Sequence, residues 1–383
     1  MGGRPYIRGG MSTSPNPEIY APGLEGVIAA ETRLSDVDGA RGQLIIAGHD
    51  VEDLAGRASF EDVALALWRA AELAGAPADA AALSAALGEA RVAAAARLSR
   101  VGDALDAADG MDALRAAVAH VPVTGELVAD AIAATGAMAV YAAAWARRHD
   151  GLEPVAPDPG LPHAADYLRM VIGDVPSPAR VRALDAYLVT VIDHGMNAST
   201  FAGRVVASTG SDLVSSVVAA IGALKGPLHG GAPGPVLDML DAIGSPAGAE
   251  AWLRAELAAG RRIMGMGHRV YRVRDPRAAV LERAIGELER DLGAATGRLA
   301  LARAVERAAT ALLAAKRPDR PLAANVEFYT AVILEAVGLP RELFTPTFAV
   351  SRVAGWAGHV VEQRRTGRLI RPASRYVGPR PPA

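Results

Sequence analysis

Apolar residues recur along most of this chain at three- and four-residue spacing, the period of a helix with one buried face. Val181, Leu184, Leu188 and Val191 follow that spacing after Ser177-Pro178, which reads as an N-cap with proline at the first helical position. This helix is expected to run out at His194-Gly195. A second is predicted from near Ser211 to Gly226-Pro227, leaving His229 just beyond its end. Asp275-Pro276 opens a third, carrying Val280, Leu281, Ile285, Leu288 and Leu292, and Asn325 caps a fourth with Val326, Phe328, Val332 and Ile333. The best strand candidates lie in Gly26–Val51, where Asp38-Gly39 marks a turn between two short apolar stretches. From Phe60 onward the pattern is helical, and residues 151–162 (GLEPVAPDPGLP) form a Pro-rich connector. The pattern predicts a mainly α protein.

Composition narrows this picture. With 383 residues the chain is long enough for about two or three domains. Apolar residues make up 51% but aromatics only 4%, so small side chains, alanine above all, must let the helices approach closely. The absence of cysteine excludes disulfides, thiolate metal sites and a thiol nucleophile. Basic and acidic residues balance at 40 and 42, which argues against a nucleic-acid partner. No charge-free apolar run reaches 18 residues, since the Ala-rich stretch 127–146 contains Asp130, so no membrane span is expected. Residues 1–22, rich in Gly, Pro and Ser, read as a flexible tail without a signal core, and the expected location is cytoplasmic.

Four segments put polar groups at helix ends: 192–200 (IDHGMNAST), 226–232 (GPLHGGA), 265–277 (GMGHRVYRVRDPR) and 325–330 (NVEFYT). His229 is hemmed by Gly226, Pro227, Gly230 and Gly231. If a helix begins around residues 232–237, its field favours a neutral ring able to donate a hydrogen bond. A loop histidine satisfied by backbone also fits. His268 is followed by Arg269, Arg272, Arg274 and Arg277, a set suited to a phosphate or carboxylate, or else a solvated charged face. Glu327 falls in a first helical turn, where the dipole favours carboxylate, and His194 at a helix C-terminus where it favours imidazolium. Both are also common structural placements.

Taken together, GPLHGGA, GMGHRVYRVRDPR, NVEFYT and FAVSR (348–352), in this order, resemble the citrate synthase family. DHGMNASTFAGRVVAST (193–209) and LIRPASRYVG (369–378) look like its shorter bacterial members, so the resemblance spans Gly23 to Gly378. It implies an all-α homodimer with a large domain (23–226 and 328–383), a small domain (227–327) and a minor N-terminal hairpin. The implied reaction is the condensation of acetyl-CoA with oxaloacetate and hydrolysis to citrate and CoA, as in the tricarboxylic acid cycle, with acyl-CoA a substrate and neither cofactor nor metal required. By the same resemblance His229 stabilises the acetyl-CoA enol, His268 donates towards the oxaloacetate carbonyl, and Glu327 stands where the family has the aspartate base. His194, Arg277, Phe348 and Arg352 match the oxaloacetate site, and Arg371 an arginine supplied by the other subunit. Leu228, Gly265, Met266, Gly267, Arg269, Arg272 and Asn325 match the CoA-binding region.

Three departures stand out: Glu327 for Asp, Met266 in the glycine loop, and Ile46-Ala47-Gly48 for the usual Tyr-Arg-Gly. Propionyl-CoA in place of acetyl-CoA, giving 2-methylcitrate, is the nearest alternative. A metal site built from His194, His229, His268 and Glu327 has no local ligand motif behind it. A non-catalytic relative that binds CoA or a dicarboxylate is a further class, motivated by Glu327.

Overall fold

The computed structural model describes residues 20–230, 233–268, 270–293, 297–316 and 322–381; most of the tail expected over 1–22 lies outside them. The chain divides into two units, Met1–Thr32 and Arg33–Ala383. In the first, the described residues form turns, the Leu24 N–H donating to the Ala21 carbonyl (3.0 Å) and the Val27 N–H to that of Leu24 (3.1 Å).

The second unit opens with the expected hairpin. Strands β1 (Ser35–Asp38) and β2 (Gln43–Ile46) pair antiparallel, Ser35 opposite Ile46 and Asp38 opposite Gln43, and β3 (His49–Asp50) adds to β2. Helices follow: α1 (Val51–Leu54), α2 (Phe60–Ala70), α3 (Ala80–Ala95), α4 (Gly110–Val118) and α5 (Leu127–His149). Next come α6 (His163–Ile172), α7 (Pro178–Val191), α8 (Ala198–Ser208), α9 (Leu213–Leu224) and α10 (Pro233–Ile243). The chain continues through α11 (Ala249–Ala258), α12 (Pro276–Asp291), α13 (Arg298–Lys316), α14 (Val326–Val337) and α15 (Phe344–Thr366). The all-α reading holds.

Caps explain many of these boundaries. Ser177, Asp275 and Asn325 each accept from a first-turn backbone N–H, as their positions before α7, α12 and α14 predicted. Asn197 does the same for α8, a helix the apolar pattern did not reveal. Helix α7 stops at Val191 rather than at His194-Gly195, so both of those residues lie in the turn that follows.

Small side chains set the packing. Helix α5 is long and apolar enough to cross a membrane, yet it is mostly buried against α3, α4, α6 and α15 and reads as a core helix. A Cβ on its Gly136 would lie 2.7 Å from the Ala90 Cβ of α3, closer than side chains tolerate. Helix α15 is buried continuously from Pro346 to Gln363 and carries Phe348 and Arg352 through the interior. Where it passes the end of α7, a Cβ on Gly355 would come within 2.3 Å of the Ile192 carbonyl oxygen. Gly355→Ala should therefore push the 192–195 turn away and destabilise the fold by about 1–3 kcal/mol, read as a lower midpoint in chemical denaturation. An unchanged midpoint would show that this approach is not tight.

Candidate functional site

The first piece of the site is the turn after α7. Gly195 takes φ +57°, and its N–H donates to Ser35 Oγ of β1 (2.8 Å), whose hydroxyl in turn donates to Asp193. Asp193 also contacts His359 Nε2 at 3.2 Å. Arg204 NH1 lies 2.9 Å from His359 Nδ1, and arginine can only donate, so Nδ1 accepts and Nε2–H points at Asp193. Arg204 is itself fixed by Glu362 (2.7 Å) and Gln363 (2.9 Å). This buried network sets the backbone from which His194 projects. Burial first, then the charges of Arg277 and Arg352, drive the His194 imidazole well below its ordinary pKa. The ring is therefore neutral, and the helix-dipole expectation for it fails because desolvation outweighs a terminal field.

Helix α8 meets His229. Its Ser199 N–H, in the first turn and without an intrahelical partner, donates to His229 Nε2 at 3.3 Å, and Ser199 Oγ lies 2.9 Å from the same nitrogen. A backbone N–H is an obligate donor, so Nε2 accepts and the proton sits on Nδ1. The loop is pinned by the His229 N–H to the Gly226 carbonyl (2.8 Å) and by Thr345 Oγ1 to that of Gly230 (2.8 Å). Burial, with help from Arg352, lowers His229 to about 4. The neutral ring was expected; the helix end that reaches it belongs to α8. Gly231 and residue 232 lie outside the described residues.

His268 is fixed from the other side. Its Nδ1 accepts from the N–H groups of Val270 (3.0 Å) and Tyr271 (3.1 Å), which leaves the proton on Nε2. Burial and the Arg277 charge lower it to about 4. The Tyr271 hydroxyl reaches His194 Nε2 at 3.1 Å, and the ring centroids of His268 lie 4.7 Å from Tyr271 and 5.6 Å from His194. The β1–β2 hairpin holds this turn: the Arg272 N–H donates to the Gly39 carbonyl at 2.8 Å, and a Cβ on Gly39 would strike the Val270 oxygen at 2.3 Å.

Asp275 organises the charged floor. It accepts from Arg277 Nε (3.0 Å) and NH2 (2.8 Å), from the Arg277 N–H (3.0 Å) and from the Val326 N–H of α14 (3.2 Å). Arg352 gives its Nε to the Val191 carbonyl (2.6 Å), and its guanidinium carbon lies 4.6 Å from the Phe348 ring centroid, while NH2 is buried without a partner. Burial pushes Arg352 down to about 10, still charged at neutral pH. Glu327 is half-buried, and its Oε2 is fully buried without a hydrogen bond. Burial, reinforced by Asp275 and opposed by Arg277 and Arg352, raises its carboxyl to about 7. The expectation that the helix dipole governs Glu327 is thus corrected: desolvation wins.

The remaining predicted residues divide. The loop 265–267 is strapped to the segment before α14: the Asn325 N–H donates to the Gly265 carbonyl (3.0 Å), Asn325 Nδ2 to that of Gly267 (2.8 Å), and Met266 bridges Ala324. Gly265 and Gly267 take φ of +70° and +89°, which few other residues would tolerate. Leu228 is fully exposed beside His229. The arginines do not form one patch. Arg274 is bound to Glu306 and Glu282 (both 2.7 Å), Arg277 is buried on Asp275, Arg272 is exposed, and Arg269 lies outside the described residues. Arg371 is exposed in the irregular segment after α15. Sequence reasoning missed Ser199, Tyr271, Asp193 and Asp275; Tyr271, three residues after His268 in a motif already marked, was the most findable. Among the described residues, no three His, Asp or Glu side chains converge as a set able to hold a metal ion.

Comparisons with known proteins agree with one another. The family profile described as "Citrate synthase, C-terminal domain" matches residues 23–373. A citrate synthase of Haloferax volcanii is 40% identical over 368 residues, covering 93% of this chain and 95% of that protein. A 2-methylcitrate synthase of Mycobacterium tuberculosis is likewise 40% identical over 368 residues, covering 93% and 90%. Among solved structures, the ternary complex of a Thermoplasma acidophilum citrate synthase with carboxymethyl coenzyme A and oxaloacetate superposes with a TM-score of 0.83 at 28% identity, covering 96% of this chain and 98% of that one.

Proposed function

This chain belongs to the citrate synthase family, and we propose that it joins the α-carbon of an acyl-CoA to the keto carbon of oxaloacetate with His229, His268 and Glu327 as its catalytic residues. The observation that carries the assignment is a shared pair of arginines: Arg352 acts on His229, Arg277 on His268 and both on Glu327, a carboxylate raised to about 7, while the backbone fixes the two neutral histidines in opposite tautomers. A thioester methyl is a very weak acid, so its proton leaves only if the enolate oxygen meets a donor as charge develops there. Glu327 takes the proton, and His229 Nδ1–H donates to the enolate oxygen. The enolate carbon then attacks the oxaloacetate keto carbon, whose oxygen accepts a hydrogen bond from His268 Nε2–H and takes up one proton, balancing the one that Glu327 removed. Water then cleaves the thioester, its hydroxyl joining the acyl carbon and its proton leaving with CoA as the thiol.

Arg277 and Arg352 offer the dicarboxylate two fixed guanidinium forks, Phe348 supports the second, and His194 supplies a neutral polar edge. Leu228, Gly265, Met266, Gly267, Arg269, Arg272 and Asn325 bind CoA. No cofactor or metal is needed, because acyl-CoA is consumed as substrate. Residues 227–327 act as the small domain, closing on 23–226 and 328–383. The protein works in the cytoplasm as a homodimer, in which Arg371 reaches the neighbouring subunit's site. That arrangement accounts for the exposure of Leu369, Tyr376 and Val377 in the C-terminal segment.

Glu327 reaches about 1 Å farther than the family's aspartate, a displacement that costs about 10²-fold when nothing compensates. Its surroundings support a pocket adjusted to Glu. Glu327→Gln should slow exchange of the acetyl-CoA methyl with deuterium by about 10²–10⁴-fold, and Glu327→Asp should not exceed wild type. Below its pKa Glu327 is protonated and cannot accept, so kcat/KM should rise with pH through about 7, while both histidines stay neutral across that range. Wild-type exchange in Glu327→Gln would remove it as base. Subunit mixing tests Arg371: Arg371→Ala and His229→Ala homodimers should each be inactive, and mixtures should regain activity; no recovery would confine each site to one chain. The match to a 2-methylcitrate synthase keeps propionyl-CoA as a second reading. One methylene is worth only about 1–3 kcal/mol of discrimination, and the ratio of kcat/KM for the two acyl-CoAs decides between them.

A further inference from the structure

Seven buried side-chain atoms among the described residues have no hydrogen-bond partner, and four of them belong to one neighbourhood: Glu327 Oε2, Arg352 NH2, Tyr187 OH and Thr330 Oγ1. Leaving a buried polar atom unpaired is costly, so a group of four marks this neighbourhood out. Arg352 and Glu327 have roles in the reaction proposed above; Tyr187 and Thr330 have none yet.

Their placement is specific. Tyr187 lies on α7, two turns before His194, and is completely buried where α7 packs on α14. Thr330 is also completely buried, three residues beyond Glu327 on α14, so both project from one face of that helix. The Tyr187 hydroxyl is close enough to feel the Glu327 and Arg352 charges and the Thr330 hydroxyl, yet none of these approaches has the geometry of a well-formed hydrogen bond. Burial raises its pKa well above the ordinary phenol value, so the hydroxyl keeps its proton and is a donor. Catalytic hydrogen bonds are often long in a free enzyme and tighten when substrate is bound.

We infer that Tyr187 is a positioning residue for Glu327: with substrate bound, Thr330 O–H donates to the Tyr187 oxygen, and Tyr187 O–H donates to Glu327 Oε2, turning Oε1 towards the acyl methyl. The chain Thr330–Tyr187–Glu327 stabilises the carboxylate from behind, and a longer side chain than aspartate is what brings Oε2 back to it. Tyr187 touches no reacting atom in this arrangement. The other charged groups facing Glu327 are Arg277 and Asp275 from the start of α12 and Arg352 from α15, and all are retained in the variants below.

The inference rests on Glu327 being the base, and the test separates the two. In Tyr187→Phe the ring that fills the α7–α14 contact is kept and only the donor is lost. Methyl deuterium exchange should fall about tenfold, and the acid limb of kcat/KM should move to higher pH by about one unit, because an ionised carboxylate has lost a donor. KM for oxaloacetate should stay unchanged. Thr330→Val should move both readouts the same way by less, and Thr330→Ser, which restores the hydroxyl, should return them towards wild type. If Glu327→Gln abolishes exchange but folded Tyr187→Phe keeps the wild-type limb and rate, Glu327 remains the base and the positioning role is overturned. A lowered rate with an unmoved limb overturns it too, since that is the mark of disturbed packing. If Tyr187→Phe does not fold, the Thr330 pair decides alone: identical limbs in Thr330→Val and Thr330→Ser overturn the relay. Wild-type exchange in Glu327→Gln would instead defeat the assignment of the base itself.

Discussion

Taking a carboxylate out of water is expensive, and the site depends on how that expense is managed at Glu327. Its carboxyl is withdrawn from solvent far enough to reach about 7, while Arg277 and Arg352 keep it from rising further. Neither arginine is left without support. Arg277 is clamped by Asp275, and Arg352 is anchored to the Val191 carbonyl and laid over Phe348. Asp275 alone caps α12, binds Arg277 and accepts from the first turn of α14, so the helix bearing Glu327 and the helix bearing Arg277 share one anchor. A carboxylate with ordinary solvation would be a much weaker base, and one buried without arginines would never ionise near neutrality.

The same economy of polar contacts fixes the two histidines. Each has one ring nitrogen committed to backbone N–H donors, which leaves the proton on the other: Nδ1 in His229 and Nε2 in His268. Backbone donors cannot be reversed by side-chain rotation, so both tautomers are built into the fold. The supports come from distant parts of the chain. Helix α8 supplies Ser199, and the β1–β2 hairpin braces the His268 turn through Gly39. A buried relay from Arg204 through His359 to Asp193 holds the backbone of His194. These supports lie far apart in the sequence, yet together they fix His194, His229 and His268 in place.

Much of this was legible in the sequence, for identifiable reasons. The α7, α12 and α14 boundaries follow from local cap chemistry, which needs no tertiary context, and Asp38-Gly39 marked the hairpin. His194, His229, His268, Arg277 and Glu327 were marked by segments at glycines and helix ends, and Arg352 only by the resemblance of FAVSR to the family. Charge states were less legible. The helix-dipole argument gave the right state for His229 and the wrong one for His194, and it missed the rise of Glu327 to about 7, because burial, a tertiary property, exceeds a terminal dipole. Helix α8 escaped because its apolar positions are few and Asn197 looked like part of a polar site segment. Arg274 looked like an anion ligand, but Glu306 and Glu282, far along the chain, already hold it. Ser199, Asp193 and Asp275 matter through partners that spacing does not reveal.

The central claim is that Glu327 is a carboxylate whose solvent exclusion makes it a base near neutrality. The most direct check is a site-resolved titration, by carbon-13 resonance of labelled glutamate assigned with Glu327→Gln, in the protein free of substrates. The account predicts a midpoint at about 7, well above an ordinary glutamate. A midpoint near about 4, the ordinary value, would show that water reaches the carboxylate and would contradict the account.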